Sequence, residues 1–160
     1  MPGAMPGHRP TGALHADLQV IGHNKRIDNA IARAAYFGET MNIVLVVNDE
    51  PANLVLVTTQ LLLHNYQVVT ASVQEDAIQL ARLLKPLLIV MDLVLANGDG
   101  WQAMEVLQQE AELRDIPVIV ISARTETSDK ERALKAGARA YLTKPYDVSE
   151  LNATLKRYLN

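Results

Sequence analysis

From Asn42 onward the sequence predicts a doubly wound α/β sandwich around a five-stranded parallel sheet, and three observations carry that prediction. Short β-rich runs alternate with longer helical stretches, and the alternation repeats five times. Runs such as Ile43-Val44-Leu45-Val46-Val47 are apolar at successive positions, so both faces of the strand must be covered, as helices cover a parallel sheet. Polar residues leave these runs at their carboxyl ends, where open α/β sheets bind ligands.

The first strand runs from Ile43 to Asn48 and leads into a helix over Pro51 to Asn65, with Pro51 suited to a first turn that needs no amide donor. A second strand, Gln67 to Ala71, precedes a helix over Gln74 to Leu84. The third strand, Leu87 to Asp92, is apolar up to its acidic last residue, and a helix follows from Gly100 to Glu112. Val118 to Ser122 forms the fourth strand, and the helix over Ser128 to Ala136 is capped by Gly137. The last strand is Ala140 to Thr143. Val148, Leu151, Leu155 and Tyr158 then recur at the helical period in a final helix over Val148 to Leu159. Right-handed crossovers join such units into one sheet with a ligand rim.

Residues 1–41 differ in kind. They hold three of the seven prolines, five of the eight glycines and three of the four histidines, and carry a net charge of +1 against −4 for residues 42–160. Lys25 to Phe37 has the pattern of a short amphipathic helix, with Ile27, Ile31 and Ala34 or Ala35 on one face and Gly38 as its stop. Met41 offers a natural start, so 1–41 is read as an appended or poorly ordered leader. His8, His15 and His23 lack a spacing that would place two metal ligands on one face.

Composition narrows the function. With no cysteine, thiolate zinc sites, disulfide scaffolds and cysteine nucleophiles are excluded. A net charge of −3 offers no general attraction to nucleic acid. The longest apolar runs have five residues, far below the roughly 20 that span a bilayer. A cytoplasmic protein is expected, without direct nucleic-acid contact or membrane insertion.

The chemistry lies in Asn48, Asp49 and Glu50 after the first strand, Asp92 after the third, Ser122 after the fourth and Lys144 after the fifth. Any one of them alone is a helix cap or a solvated charge. In a parallel sheet, however, they share one rim, with a cis-capable Lys144-Pro145 step directly behind the cation. A carboxylate such as Asp92 can attack phosphorus to form an acyl phosphate. Asp49, Asp92 and the backbone carbonyl of Val94 are hard oxygen ligands for Mg²⁺ or Mn²⁺, with Asn48 and Glu50 placed for outer contacts through water. The Lys144 ammonium and the Ser122 hydroxyl are donors to the remaining phosphate oxygens.

The motifs VVNDEP at 46–51, IVMDLVLANGDG at 89–100, VIVISA at 118–123 and AYLTKPY at 140–146 resemble those of the receiver domain of bacterial response regulators, and the likeness covers Met41 to Asn160. The resemblance implies a flavodoxin-like, CheY-like (βα)5 fold with strand order 2-1-3-4-5. It also implies Asp92 as phosphoacceptor, Asp49 as the main acidic metal ligand, Lys144 as the phosphate-contacting lysine, Ser122 as the switch hydroxyl and Tyr141 as the aromatic switch. The implied partners are a histidine kinase or histidine phosphotransfer protein as donor, a downstream protein target, and a second copy of the chain in a homodimer. The expected activity is self-phosphorylation and slow self-dephosphorylation only, not enzymatic turnover of another substrate.

Three departures from the family pattern stand out. Asn48 replaces the usual first Asp, removing one negative charge and weakening the expected metal binding. Leu95-Ala96 replaces the usual Met-Pro, which predicts a more mobile loop. Val94 and Arg124 lie two residues beyond the acceptor and the hydroxyl, and suggest a slowly hydrolysed phosphoryl group. Asn48 also motivates an alternative, a degenerate receiver that binds partners without phosphorylation. An aspartyl phosphatase would need an acid where Val94 stands, and a flavin site would need a Gly-, Ser- or Thr-rich loop where Asn48-Asp49-Glu50 stands. Pro51 to Gln74 carries no charge, so a partner patch is expected around Val55, Leu56, Leu62 and Leu63.

Overall fold

The computed structural model describes residues 42–95, 98–123 and 126–159. Residues 1–41, and with them the leader helix and the three leader histidines, lie outside the described residues, as do Ala96, Asn97 and Arg124.

Strands β1 (Ile43–Val47), β2 (Gln67–Ala71), β3 (Leu88–Asp92), β6 (Val118–Ser122) and β7 (Ala140–Thr143) form one parallel sheet in the order β2-β1-β3-β6-β7. This is the order expected for five strands. Two extra numbers arise from a two-residue antiparallel ribbon, β4 (Val94–Leu95) with β5 (Gly98–Asp99), which the sequence reading did not foresee. The helices are α1 (Pro51–Leu63), α2 (Gln74–Leu84), α3 (Gly100–Gln109), α4 (Thr127–Lys135) and α5 (Val148–Leu159).

Every residue of β1, β3 and β6 is buried, as their unbroken apolar runs require. Val44 and Val46, Leu88 and Val90, and Ile119 and Ile121 enter a core cluster with Val57 and Leu61 of α1 and Leu151 and Leu155 of α5. Side chains alternate along a strand, so the intervening residues cover the opposite face, where α2 packs on β1 and β2 and against α3. No helix among the described residues is long and apolar enough to cross a membrane.

Element ends moved slightly from expectation for local reasons. Helix α1 stops at Leu63 rather than Asn65 because Asn65 adopts a left-handed φ of 66° while the Tyr66 N–H donates to the Leu61 carbonyl. Helix α3 stops at Gln109, and the chain passes through turns in which the Leu113 and Arg114 amides both donate to the Glu110 carbonyl. Gly137 has a φ of 108°, as a glycine closing α4 should. Asp147 caps α5 by accepting the Glu150 N–H at 2.8 Å. The Ser149 hydroxyl, donating at 2.6 Å, and then that amide hold the Asp147 carboxyl below the usual range.

The apolar helix face needs one correction. Val55, Leu62 and Leu63 are exposed, but Leu56 is partly buried and packs against the core cluster, so it is no part of an exposed patch.

Candidate phosphoryl-acceptor site

The face of the sheet that carries Val44 and Val46, Leu88 and Val90, and Ala140 and Leu142 continues one step further as Asn48, Asp92 and Lys144. The register pairs Val47 with Met91, so Asn48 stands next to Asp92 at the rim. Asn48 extends the ladder by donating its N–H to the Ala71 carbonyl at 2.9 Å, and the Lys144 N–H donates to the Ser122 carbonyl at 2.8 Å. Three strand tips widely separated in sequence thus bring an amide, a carboxylate and an ammonium together by parity and register alone.

Asp92 is 4% exposed. Its Oδ2 accepts from Lys144 Nζ at 2.5 Å and its Oδ1 from the Val94 N–H at 2.9 Å. Lys144 Nζ also lies 3.5 Å from Glu50 Oε2. A buried carboxylate is tolerable only when paired and hydrogen-bonded, and both conditions are met. The Lys144-Pro145 peptide bond is cis.

The other expected residues sit as follows. Asn48 is buried, and its Oδ1 accepts the Glu50 N–H at 2.8 Å. Asp49 is half-buried on the same rim but forms no ion pair with Lys144 among the described residues. Ser122 is fully buried at the end of β6. Tyr141 is half-buried on β7, in register with Val120. The Val94 side chain is exposed, while its amide is engaged by Asp92.

Two residues near the site were missed from sequence. Gly100 begins α3, and its N–H donates to the Leu93 carbonyl at 2.7 Å. A Cβ there would come within 2.9 Å of the Asp92 carbonyl oxygen, so only glycine lets α3 approach β3 this closely. Tyr146, directly behind Pro145, packs against the core cluster with its hydroxyl buried and without a hydrogen-bond partner among the described residues. Burial pushes its pKa up, with the charges of Glu50 and Asp92 adding to the effect. Its position after a Lys-Pro step was the only signal available.

The donor set fits a magnesium ion that keeps several waters. Asp49, Asp92 and a main-chain carbonyl are hard oxygens of the kind Mg²⁺ takes. No group of three His, Cys, Asp or Glu side chains suited to a metal forms among the described residues. A separate groove of about 530 Å³ between α3 and α4, lined by Trp101, Glu105, Gln108 and Arg132 among others, does not include these residues.

A five-stranded parallel sheet in this order, with an ion-paired aspartate at the tip of its third strand, is the arrangement of a flavodoxin-like, CheY-like domain. The chain belongs to the response regulator receiver domain family, whose model matches residues 44–156. It is 37% identical over 116 residues to Protein PilH of Pseudomonas aeruginosa, covering 72% of this chain and 96% of that protein. It is 41% identical to the KDP operon transcriptional regulatory protein KdpE of Escherichia coli over 116 residues, 72% of this chain but only 50% of KdpE, so it spans about half of that regulator. Among solved structures it is similar to the receiver domain of a Pseudomonas aeruginosa sensor histidine kinase, which has a magnesium ion coordinated in its active-site cleft. That likeness has a TM-score of 0.67 and 28% identity, and covers 74% of this chain and 98% of the other. The fold is shared as well with the Vibrio cholerae chemotaxis protein CheY4, at a TM-score of 0.69 and 24% identity, over 74% of this chain and 99% of that one.

Proposed function

We propose that this receiver accepts a phosphoryl group on Asp92 from a phosphohistidine of a histidine kinase or phosphotransfer protein. A carboxylate oxygen of Asp92 forms the new P–O bond as the donor's P–N bond breaks, and the electron pair stays on the imidazole nitrogen. Hydrolysis later returns the carboxylate and inorganic phosphate, and the chain turns over no other substrate. The observation that carries this reading is the buried Asp92 carboxylate held by the Lys144 ammonium at 2.5 Å.

Lys144 then has a second duty, since its charge can pass from Asp92 to the phosphoryl oxygens. Ser122 is the hydroxyl donor to another of those oxygens, and Tyr141 is the side chain whose position the change biases. Asp49, Asp92 and the Val94 carbonyl are the residues that would hold Mg²⁺ or Mn²⁺, with Glu50 in outer contact. A bound divalent ion supplies neutralisation of the charge on the transferring group. The exposed Val94 side chain at the mouth favours slow hydrolysis by shielding one approach to phosphorus. The output is contact with another protein, in the cytoplasm, without direct binding of nucleic acid.

Mass spectrometry after incubation with Mg²⁺ and a small acyl phosphate tests the reading. One phosphoryl group is expected on the native chain and none on Asp92→Asn. An unmodified native chain, or a variant modified equally, overturns it and leaves a receiver that acts by binding alone.

A further inference from the structure

We propose that Asn48 is a hydrogen-bond donor to the bound phosphoryl group, so that this pocket holds the anion partly by an amide where an aspartate would serve a metal. The inference rests on the reading of Asp92 as the acceptor.

The Glu50 N–H donates to Asn48 Oδ1 at 2.8 Å. Only the oxygen of a carboxamide can accept from an N–H, so this one bond decides which way the amide is turned. The oxygen points back to the start of α1, and the other terminal atom is an NH₂. An aspartate making the same turn would present an acceptor oxygen in that place. The difference is one of sign, because an NH₂ group repels a cation and its coordinated waters cannot donate to it, whereas phosphoryl oxygens are acceptors only.

The residue that carries this donor stands beside the acceptor. Asn48 is 4% exposed, stands one step beyond the Val47–Met91 pair and lies beside Asp92 on the same face of the sheet. Both Asp92 oxygens already have donors, Lys144 Nζ and the Val94 N–H. A phosphoryl group on Asp92 adds acceptor oxygens at this rim, and the Asn48 amide supplies a donor for them without adding charge. Metal affinity is given up in the same exchange, since an acid at 48 would add one more carboxylate to those of Asp49, Glu50 and Asp92.

Two measurements on the full chain test this. Calorimetric titration with Mg²⁺ of the native chain and of the isosteric variant Asn48→Asp is expected to show tightening by tenfold or more in the variant, about the size of effect that groups supporting a metal exert. In ¹⁵N-labelled native chain, the Asn48 side-chain amide resonances are expected to shift on phosphorylation and to stay shifted after chelation of Mg²⁺. Equal Mg²⁺ affinity in the two proteins overturns the proposal. So do unmoved Asn48 resonances in a chain that mass spectrometry shows to be phosphorylated, which leaves the acceptor reading intact. A chain that takes no phosphoryl group overturns both together.

Discussion

Replacing Gly100 with alanine adds one methyl group where the start of α3 meets the end of β3. The new Cβ would lie 2.9 Å from the Asp92 carbonyl oxygen, 3.0 Å from Leu93 Cα and 3.3 Å from Met91 Sδ. The thioether can swing aside. The two main-chain atoms cannot, because Asp92 is in register with Ile121 of β6 and the Gly100 N–H is bonded to the Leu93 carbonyl at 2.7 Å. Two effects oppose each other. Alanine gains helix propensity over glycine, about 1 kcal/mol in a helix interior and less in a first turn. Overpacking against backbone costs about 1–3 kcal/mol. The clash wins, for a net loss of about 1–2 kcal/mol, or a fall in Tm of about 3–8 °C for a domain of this size. Urea unfolding followed by circular dichroism reads the change directly, as a lower midpoint at constant slope. Phosphorylation of the variant should also be slower, since the strand end that aims the Asp92 carboxylate must shift. An unchanged or higher midpoint refutes the reasoning, because helix propensity would then have outweighed a contact that leaves no room.

Further expectations concern single groups. Tyr146→Phe removes a buried hydroxyl that has no hydrogen-bond partner among the described residues, so it should alter stability by no more than about 1 kcal/mol near neutral pH. The raised pKa of Tyr146 means that the folded chain keeps a proton the unfolded chain releases above about pH 10. Stability from this group is therefore complete below that pH and declines as pH rises past it, and the variant should show a shallower alkaline decline in urea midpoint; an identical decline contradicts the assignment. Lys144→Met strands the Asp92 carboxylate and should cost about 2–4 kcal/mol, but less than about 1 kcal/mol in an Asp92→Asn background, and additive losses in the four-protein cycle would show the pair to be uncoupled. Leu62→Lys should change stability by less than about 0.5 kcal/mol, whereas Leu56→Lys should cost more than about 2 kcal/mol because Leu56 faces the core cluster.

The strands were legible because burial on both faces forces apolar residues at consecutive positions, a pattern that Ile43–Val47 and Val118–Ser122 carry without help from the rest of the chain. Their order and the convergence of Asn48, Asp92 and Lys144 follow from parallel pairing, since a residue at a carboxyl end in sequence is at the common rim in space. Other features depend on distances that no linear pattern encodes. The β4–β5 ribbon is too short to have a period. The close approach at Gly100 exists only once α3 lies against β3. Leu56 and Leu62 look alike in a run of aliphatic residues, but six residues of helix put them about 120° apart around the axis, one packed and the other exposed. The orientation of the Asn48 amide depends on a bond to Glu50 that the sequence does not disclose, and it reverses what that residue offers to a ligand.

The outer margin of the sheet ends in a way that affects more than the acceptor site. Strand β7 has four residues and, among the described residues, pairs with β6 alone at the margin of the sheet. Pro145, just past the strand, works against pairing with a further strand, because it has no N–H to offer. A short margin that ends at a proline is a poor template for a further strand. Proteins that settle on this side must therefore grip it through side chains, which leaves selectivity to be written in residues that can vary while the sheet does not.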